Sequence, residues 1–152
     1  MRKTALITGA TSGIGLELAK VFARHGYDLV LVARDEGRLA TVASAVETES
    51  SVSVKTIARD LSRVSSAQEI FGLTLSLGIQ IDVLVNNAGA GLNGCFTEHR
   101  LEDELAVIQL NIASVAALCH LFGKEMVKRG SGRILNVSST AAFQPGPLMS
   151  NY

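Results

Sequence analysis

Short apolar runs alternate along the chain with longer stretches whose apolar residues recur every three or four positions. Residues 3–8 contain Ala5-Leu6-Ile7 without polar alternation, the pattern of a strand covered on both faces. Ile14, Leu18, Val21 and Phe22 follow at helical spacing, and Gly26 supplies a C-terminal stop. The alternation then repeats. A strand over 28–33 is built on Leu29-Val30-Leu31-Val32, followed by a polar helix over about 35–48 and a strand over 52–58. A helix over about 65–77 keeps Ile70, Leu73 and Leu77 on one side, with Gly72 weakening it, and a fourth strand covers 81–85. Residues 101–128 form one helical pattern without proline, in two parts that bend near Asn111, and 133–137 give a fifth strand. Strands alternating with helices predict an α/β fold in one domain: an open, doubly wound, mostly parallel sheet with right-handed crossovers and helices on both faces.

Ligands of such sheets bind beyond the carboxyl ends of the strands, where strand order reverses. The unusual polar residues gather at those ends: Arg34 after the second strand, Asp60 after the third, Asn86-Asn87-Ala88-Gly89 after the fourth and Ser138-Ser139 after the fifth. The first strand passes to its helix through Thr8-Gly9-Ala10-Thr11-Ser12-Gly13-Ile14-Gly15, a turn with almost no side chains. Gly9 permits the tight turn, Gly13 lets backbone approach a ligand, and Gly15 lets the helix pack near the strand. Open N–H groups at the helix start, with the positive end of the helix dipole, then face a pyrophosphate. On its own, G-x-x-x-G-x-G also fits an ordinary loop.

Charge narrows the partners. Fourteen basic and fourteen acidic residues cancel, and no run of one sign marks a nucleic-acid footprint or a polybasic membrane patch. A small molecule is the expected partner. The apolar tract 112–122 includes Ser114 and His120 and is too short to span a bilayer, and the N-terminal apolar run breaks at Thr8-Gly9 before reaching signal-peptide length. A cytoplasmic protein with no membrane partner is expected. Cys95 and Cys119 lack metal-ligand spacing and read as free thiols, and His25, His99 and His120 are scattered, so no metal site is expected.

The order T-G-x-x-x-G-I-G resembles the opening of the short-chain dehydrogenase/reductase family, and the resemblance extends over the whole chain in the same order. N-N-A-G stands at Asn86-Asn87-Ala88-Gly89, and Gly132-Arg133-Ile134-Leu135-Asn136-Val137-Ser138-Ser139 ends in a serine thirteen positions before Tyr152. The resemblance implies a Rossmann-type sheet of strand order 3-2-1-4-5. It implies a nicotinamide dinucleotide held by Gly9, Thr11, Ser12, Gly13, Ile14 and Gly15, with Asn87, Ala88 and Gly89 skirting the adenosine ribose and Asp60-Leu61 receiving the adenine. Asp60 as a cap of the following helix is the other reading of that residue. Arg34 at the end of the second strand suits a 2′-phosphate and therefore NADP, with NAD and a merely solvated Arg34 as alternatives, while Asp35 reads as a helix N-cap.

The same resemblance gives Tyr152, Ser139 and Asn111 their roles. Tyr152 passes a proton to the substrate carbonyl oxygen as hydride leaves the nicotinamide, Ser139 holds that oxygen, and Asn111 anchors a water relay. Taken alone, Asn111 reads as a satisfied buried amide, and Ser138 as a structural neighbour. A donor pair aimed at an oxygen that gains charge, together with a placed acid, suits reduction of a small-molecule carbonyl or oxidation of an alcohol.

The sequence stops at Tyr152, before the lysine that the family places four residues later to lower the phenol's pKa. The expectation is therefore an NAD(P)-dependent oxidoreductase whose 152-residue chain is a poor catalyst by itself. The family continues with further strands and helices, so this chain is expected to be the N-terminal part of a longer domain. Its fifth strand, with Ile134-Leu135-Asn136-Val137, is expected at the sheet edge, where open backbone and apolar side chains favour aggregation or association into a homo-oligomer through that edge. Two other functions remain: a non-catalytic NADP(H) sensor, and a methyltransferase that binds S-adenosylmethionine, which gives no reason for the Ser139–Tyr152 spacing.

Overall fold

A computed structural model describes residues 2–144 and 146–149. Its strands are β1 (Thr4–Thr8), β2 (Asp28–Ala33), β3 (Val54–Ala58), β4 (Val83–Asn86) and β5 (Arg133–Asn136). They pair in parallel in the order β3-β2-β1-β4-β5. The order reverses between β1 and β4, so the open crevice lies above those two strands. The connecting helices are α1 (Gly13–Arg24), α2 (Glu36–Ser50), α3 (Ser66–Ser76), α4 (Leu101–Ile108) and α5 (Ser114–Lys128).

The uninterrupted apolar strands follow from covering both faces. Ala5 and Ile7 of β1, Leu29 and Leu31 of β2, and Val83 and Val85 of β4 join one buried cluster with α1 and α2. Leu6, Val30, Val32 and Leu84 point the other way and join a second cluster with α3 and α5, through Ile70, Leu118, Phe122 and Met126. Successive residues of a strand face opposite sides, so each side chain in these strands has a helix to meet.

Helical periods are as the sequence predicts, and Leu18, Phe22, Ile70 and Leu73 pack against the core, but Ile14, Val21 and Leu77 do not join the buried faces. In α1 the residues against the sheet are Gly15, Ala19 and Ala23, while Ile14 is 62% exposed and Val21 also faces outward. Small residues bring this helix close to the strands. In α3 the buried stripe is Ser66, Ala67, Ile70 and Thr74, and Leu77 lies outside as the C-cap. Gly72 is on the open side of that helix, where a Cβ would meet nothing, so it weakens propensity without disturbing packing.

The third strand starts at Val54 rather than residue 52, because Ser51 ends α2 in the left-handed region at φ 52°. Side chains pin the intervening turn: Ser53 N–H donates to Asp28 Oδ1 and Val54 N–H to Glu47 Oε1, each at 2.9 Å. The bend expected near Asn111 is a π-helical turn, Gln109–Ala113, between α4 and α5. One extra residue per turn there rotates α5 relative to α4.

The helical run Leu101–Lys128 is 28 residues long, with a mean hydropathy of 1.9 in its most apolar part. By length and composition it is able to cross a membrane, which the shorter tract 112–122 did not suggest. Leu118, Phe122 and Met126 nevertheless pack it against the sheet, as the core helix of a globular domain does. At the far edge, all four residues of β5 are exposed, as expected from its place in the order.

Candidate functional site

The glycine turn is held from below by Thr8, which sequence reasoning did not single out. Its buried hydroxyl accepts from the N–H groups of Asn87 and Ala88, both at 3.0 Å, and lies 3.4 Å from the Val85 carbonyl to which it donates. Asn87 Nδ2 answers by donating to the Thr8 carbonyl at 3.0 Å and the Gly9 carbonyl at 3.3 Å. The ends of β1 and β4 are thus fastened together at the point where strand order reverses. An apolar strand ending in threonine was the available signal.

Two glycines make that closeness feasible. Gly9 has φ +66°, and a Cβ there would stand 2.9 Å from both Ala88 Cα and Asn87 Nδ2. At Gly15 a Cβ would stand 2.2 Å from the Gly9 carbonyl oxygen and 2.4 Å from Asn87 Nδ2. The helix therefore packs on the turn and on Asn87, more than on the strand itself. Gly13 differs: at φ +52° its missing side chain points into open space.

Above the turn lies a cleft of about 500 Å³. Gly9, Thr11, Ser12, Ile14, Arg34, Asp60, Leu61, Asn87, Ala88 and Gly89 all line it, whereas Gly13 and Gly15 shape the turn without lining it. Ser12 occupies the N-cap of α1 without making a side-chain capping bond. The first amide of the turn's helix to find an intrahelical carbonyl is that of Leu16, which leaves earlier N–H groups as donors toward the cleft.

The other end of the cleft gathers charges of both signs, with Asp35 and Asp60 beside Arg34. Arg38 and Arg59 also line it, and neither was singled out in the sequence. Asp35 caps α2, its Oδ1 accepting from Arg38 N–H at 2.9 Å. Arg59 Nε donates to Glu69 Oε2 at 2.7 Å and its Nη1 to the Ala58 carbonyl at 2.7 Å. The Ser65 hydroxyl and then Arg59 hold the Glu69 carboxyl below its ordinary pKa. Asp60 does not cap α3, whose N-cap is Ser65. Its Oδ1 accepts from Ser62 N–H at 3.0 Å and from the Ser62 hydroxyl at 2.8 Å, closing a local turn at the rim of the cleft.

A second cavity, of about 400 Å³, is lined by Asn111 and Ser139 and shares Ile14, Asn87, Ala88 and Gly89 with the first. The structure thus brings two of the three catalytic candidates to a space adjoining the cleft. Tyr152 lies outside the described residues. Ser139 is the N-cap of a short 3₁₀ turn, Thr140–Ala142, and its Oγ accepts from Ala141 N–H at 3.1 Å. Acceptance by that oxygen leaves the hydroxyl hydrogen free to donate. Asn111 uses both ends of its amide on one residue: Nδ2 donates to the Ala90 carbonyl at 2.7 Å and Oδ1 accepts from Ala90 N–H at 3.0 Å. It is a satisfied amide, and it clamps the segment that leaves β4.

Neighbouring groups complete the picture. Asn86 Nδ2 donates to Asn136 Oδ1 at 2.8 Å across the ends of β4 and β5. Among the described residues there is no group of His, Cys, Asp and Glu suited to a metal ion. Cys95 and Cys119 are free thiols. The Thr97 hydroxyl, followed by backbone N–H groups of Thr97 and Glu98, lowers the pKa of Cys95 from its ordinary value.

Residues 3–152 match the model of the short chain dehydrogenase family. An uncharacterized oxidoreductase of Staphylococcus saprophyticus is 35% identical over 142 residues, a match that covers 93% of this chain and 61% of that protein. A very-long-chain 3-oxoacyl-CoA reductase of Danio rerio is 38% identical over 157 residues, covering 99% of this chain and 49% of the relative. Among solved structures, a short-chain dehydrogenase from Sphingobium yanoikuyae in complex with NADPH superposes with a TM-score of 0.91 at 39% identity, over 99% of this chain and 58% of the other. The chain spans about half to three-fifths of the length of these proteins.

Proposed function

The chain belongs to the short-chain dehydrogenase family, and from that premise we propose that it is the dinucleotide-binding part of an NADP(H)-dependent oxidoreductase acting on a carbonyl or secondary alcohol. The observation that carries the reading is the adjacency of the two cavities: the cleft above the glycine turn and the space with Asn111 and Ser139 share Ile14, Asn87, Ala88 and Gly89. A dinucleotide fits the residues present. The open space at Gly13, the uncommitted Ser12 side chain and the free amides at the start of α1 suit a pyrophosphate. Asp60 and Leu61 border the adenine end, and Asn87, Ala88 and Gly89 the ribose.

NADP is favoured over NAD by charge. Arg34 lines the cleft, where Arg38 pairs with Asp35 and Arg59 with Glu69, while Asp35, the carboxylate nearest the end of β2, is committed to capping α2. Guanidinium groups pair well with a 2′-phosphate, and a free carboxylate would be needed to select the bare 2′-hydroxyl.

Bound NADPH supplies the hydride. The protein's part is to hold the substrate oxygen and deliver the proton: the Ser139 hydroxyl donates to that oxygen, Tyr152 gives up its phenolic proton, and Asn111 keeps the Ala90 backbone fixed beside them. Because a relative is a 3-oxoacyl-CoA reductase, 3-oxoacyl thioesters are the first substrates to try. We place the protein in the cytoplasm as a homo-oligomer. The outward stripe of Leu101, Leu105, Ile108 and Ile112 on the long helix is the face a second copy would cover.

Fluorescence titration of the purified chain with NADPH and NADH tests the binding half, with NADPH expected to bind about tenfold tighter. Failure to bind either nucleotide would overturn the reading. Binding without any oxidation of NADPH at 340 nm against a panel of aldehydes, ketones and 3-oxoacyl thioesters would favour the sensor instead.

A further inference from the structure

The segment that leaves β4 is pinned at two places. Asn111 grips Ala90 at its start, through the pair of bonds described above. At its far end His99 Nδ1 lies 2.6 Å from Glu104 Oε1, and α4 keeps Glu104 only 4% exposed. The other edge of the imidazole fills the space beside Gly94, where a Cβ would stand 2.6 Å from Nε2, at φ +151°. Gly94 N–H donates in turn to the Leu148 carbonyl at 3.0 Å, in the chain beyond Ser139. Histidine, glycine and glutamate thus form a stack that ties the loop after β4 to α4 on one side and to the chain after β5 on the other.

Burying a carboxylate is costly unless it has partners, and none of the steps proposed above uses Glu104. We infer that His99 and Glu104 are a positioning pair, which holds residues 90–99 as a preformed wall between Asn111 and the chain after Ser139. Asn111 and Ser139, and none of 90–99, line the second cavity. The frame that holds Asn111 and Ser139 is then set before any ligand arrives, as preorganised catalysis requires. This rests on reading that cavity as the reaction site.

Cys95 provides a reporter within the wall. It is exposed, and its thiol is held by Thr97. The test compares the full wild-type chain with His99→Ala, Gly94→Ala and Glu104→Gln, by amide hydrogen exchange over residues 91–98 and by the pH dependence of Cys95 alkylation with iodoacetamide. His99→Ala and Gly94→Ala are expected to speed exchange there by about tenfold and to raise the midpoint of Cys95 alkylation toward an ordinary thiol. Glu104→Gln retains a neutral hydrogen bond to the imidazole and is expected to behave as wild type. NADPH affinity should stay within about twofold in all three, since none of these side chains lines the nucleotide cleft.

Wild-type exchange and thiol behaviour in both His99→Ala and Gly94→Ala overturns the inference. So does a Glu104→Gln chain as loose as His99→Ala, or NADPH binding that weakens in step with the loop. Should His99→Ala fail to fold, Gly94→Ala, in an exposed loop, still decides the matter. A wild-type chain that does not bind NADPH sinks the functional reading, while the exchange data still decide whether the pin exists.

Discussion

The two sides of the sheet are held by different forces. On the β3 side, β1 and β2 are sandwiched between helices, with Leu6, Ile7, Leu31 and Val32 fully buried. Even the edge strand β3 places Val54 and Ile57 in the two cores. On the β5 side all four strand residues are exposed. There, polar contacts set the geometry: Asn86 to Asn136, Asn111 to Ala90 and His99 to Glu104. The cleft assigned to the nucleotide lies above the packed strands, whereas the residues assigned to chemistry lie beside a strand that is exposed in this chain, which spans about half to three-fifths of its relatives' length. Hydrophobic burial is the larger contribution and each bond adds only about 1 kcal/mol net, so truncating a side chain should cost more in the first region than in the second.

The contrast is broken most forcefully by removing core volume on each side. Leu6→Ala, at a fully buried position of β1, should lower unfolding free energy by about 3–4 kcal/mol, and Leu135→Ala on exposed β5 by less than about 1 kcal/mol. Equal losses in urea titration would show that β5 is as firmly packed as β1. Next comes the turn itself. Gly15→Ala puts a methyl 2.2 Å from the Gly9 carbonyl, and about 2–3 kcal/mol of destabilisation with loss of NADPH binding is expected.

Thr8→Val keeps the shape of the side chain but strips the acceptor from the Asn87 and Ala88 amides. A loss of about 2 kcal/mol is expected, measurable by thermal or chemical unfolding. A smaller effect, confined to binding, should follow Arg34→Ala: NADPH affinity about tenfold weaker and NADH affinity nearly unchanged by titration. The smallest effect is at Glu69. Its pKa is lowered in the fold, so its contribution is present above the ordinary glutamate pKa of about 4 and fades as pH falls through the lower folded value. The side chain is exposed, so Glu69→Gln should shift the urea midpoint slightly near neutrality and not at all in strong acid.

Much of this was legible along the chain. The five strands, their helices, the Asp35 cap and the interruption at Asn111 each depend on residues within a few positions of one another. The faces of α1 and α3 were legible in part: Leu18, Phe22, Ile70 and Leu73 do pack against the core, but large apolar residues mark the whole buried face only when a helix sits at ordinary distance. In α1, Gly15, Ala19 and Ala23 bring the helix so near that Ile14 and Val21 are turned outward.

The candidate site divides in the same way. The glycine turn and the asparagines after β4 are compact motifs, and most of them line one cleft. Thr8 escaped notice because its partners, Asn87 and Ala88, lie about eighty residues away. Arg38 and Arg59 were not singled out, because only the fold brings the start of α2 and the end of β3 over the same space. The bent helix could be inferred at Asn111, but not that its amide would be spent on Ala90.

Local pattern by itself determined that this chain alternates strand and helix, and that a bare amide turn opens the first helix, because period, caps and glycine conformations act over a few residues. Tertiary structure alone decided which polar groups meet above the sheet and which helix residues face it. Those contacts join residues far apart in sequence, and a pairing between distant segments leaves no mark on the pattern of either.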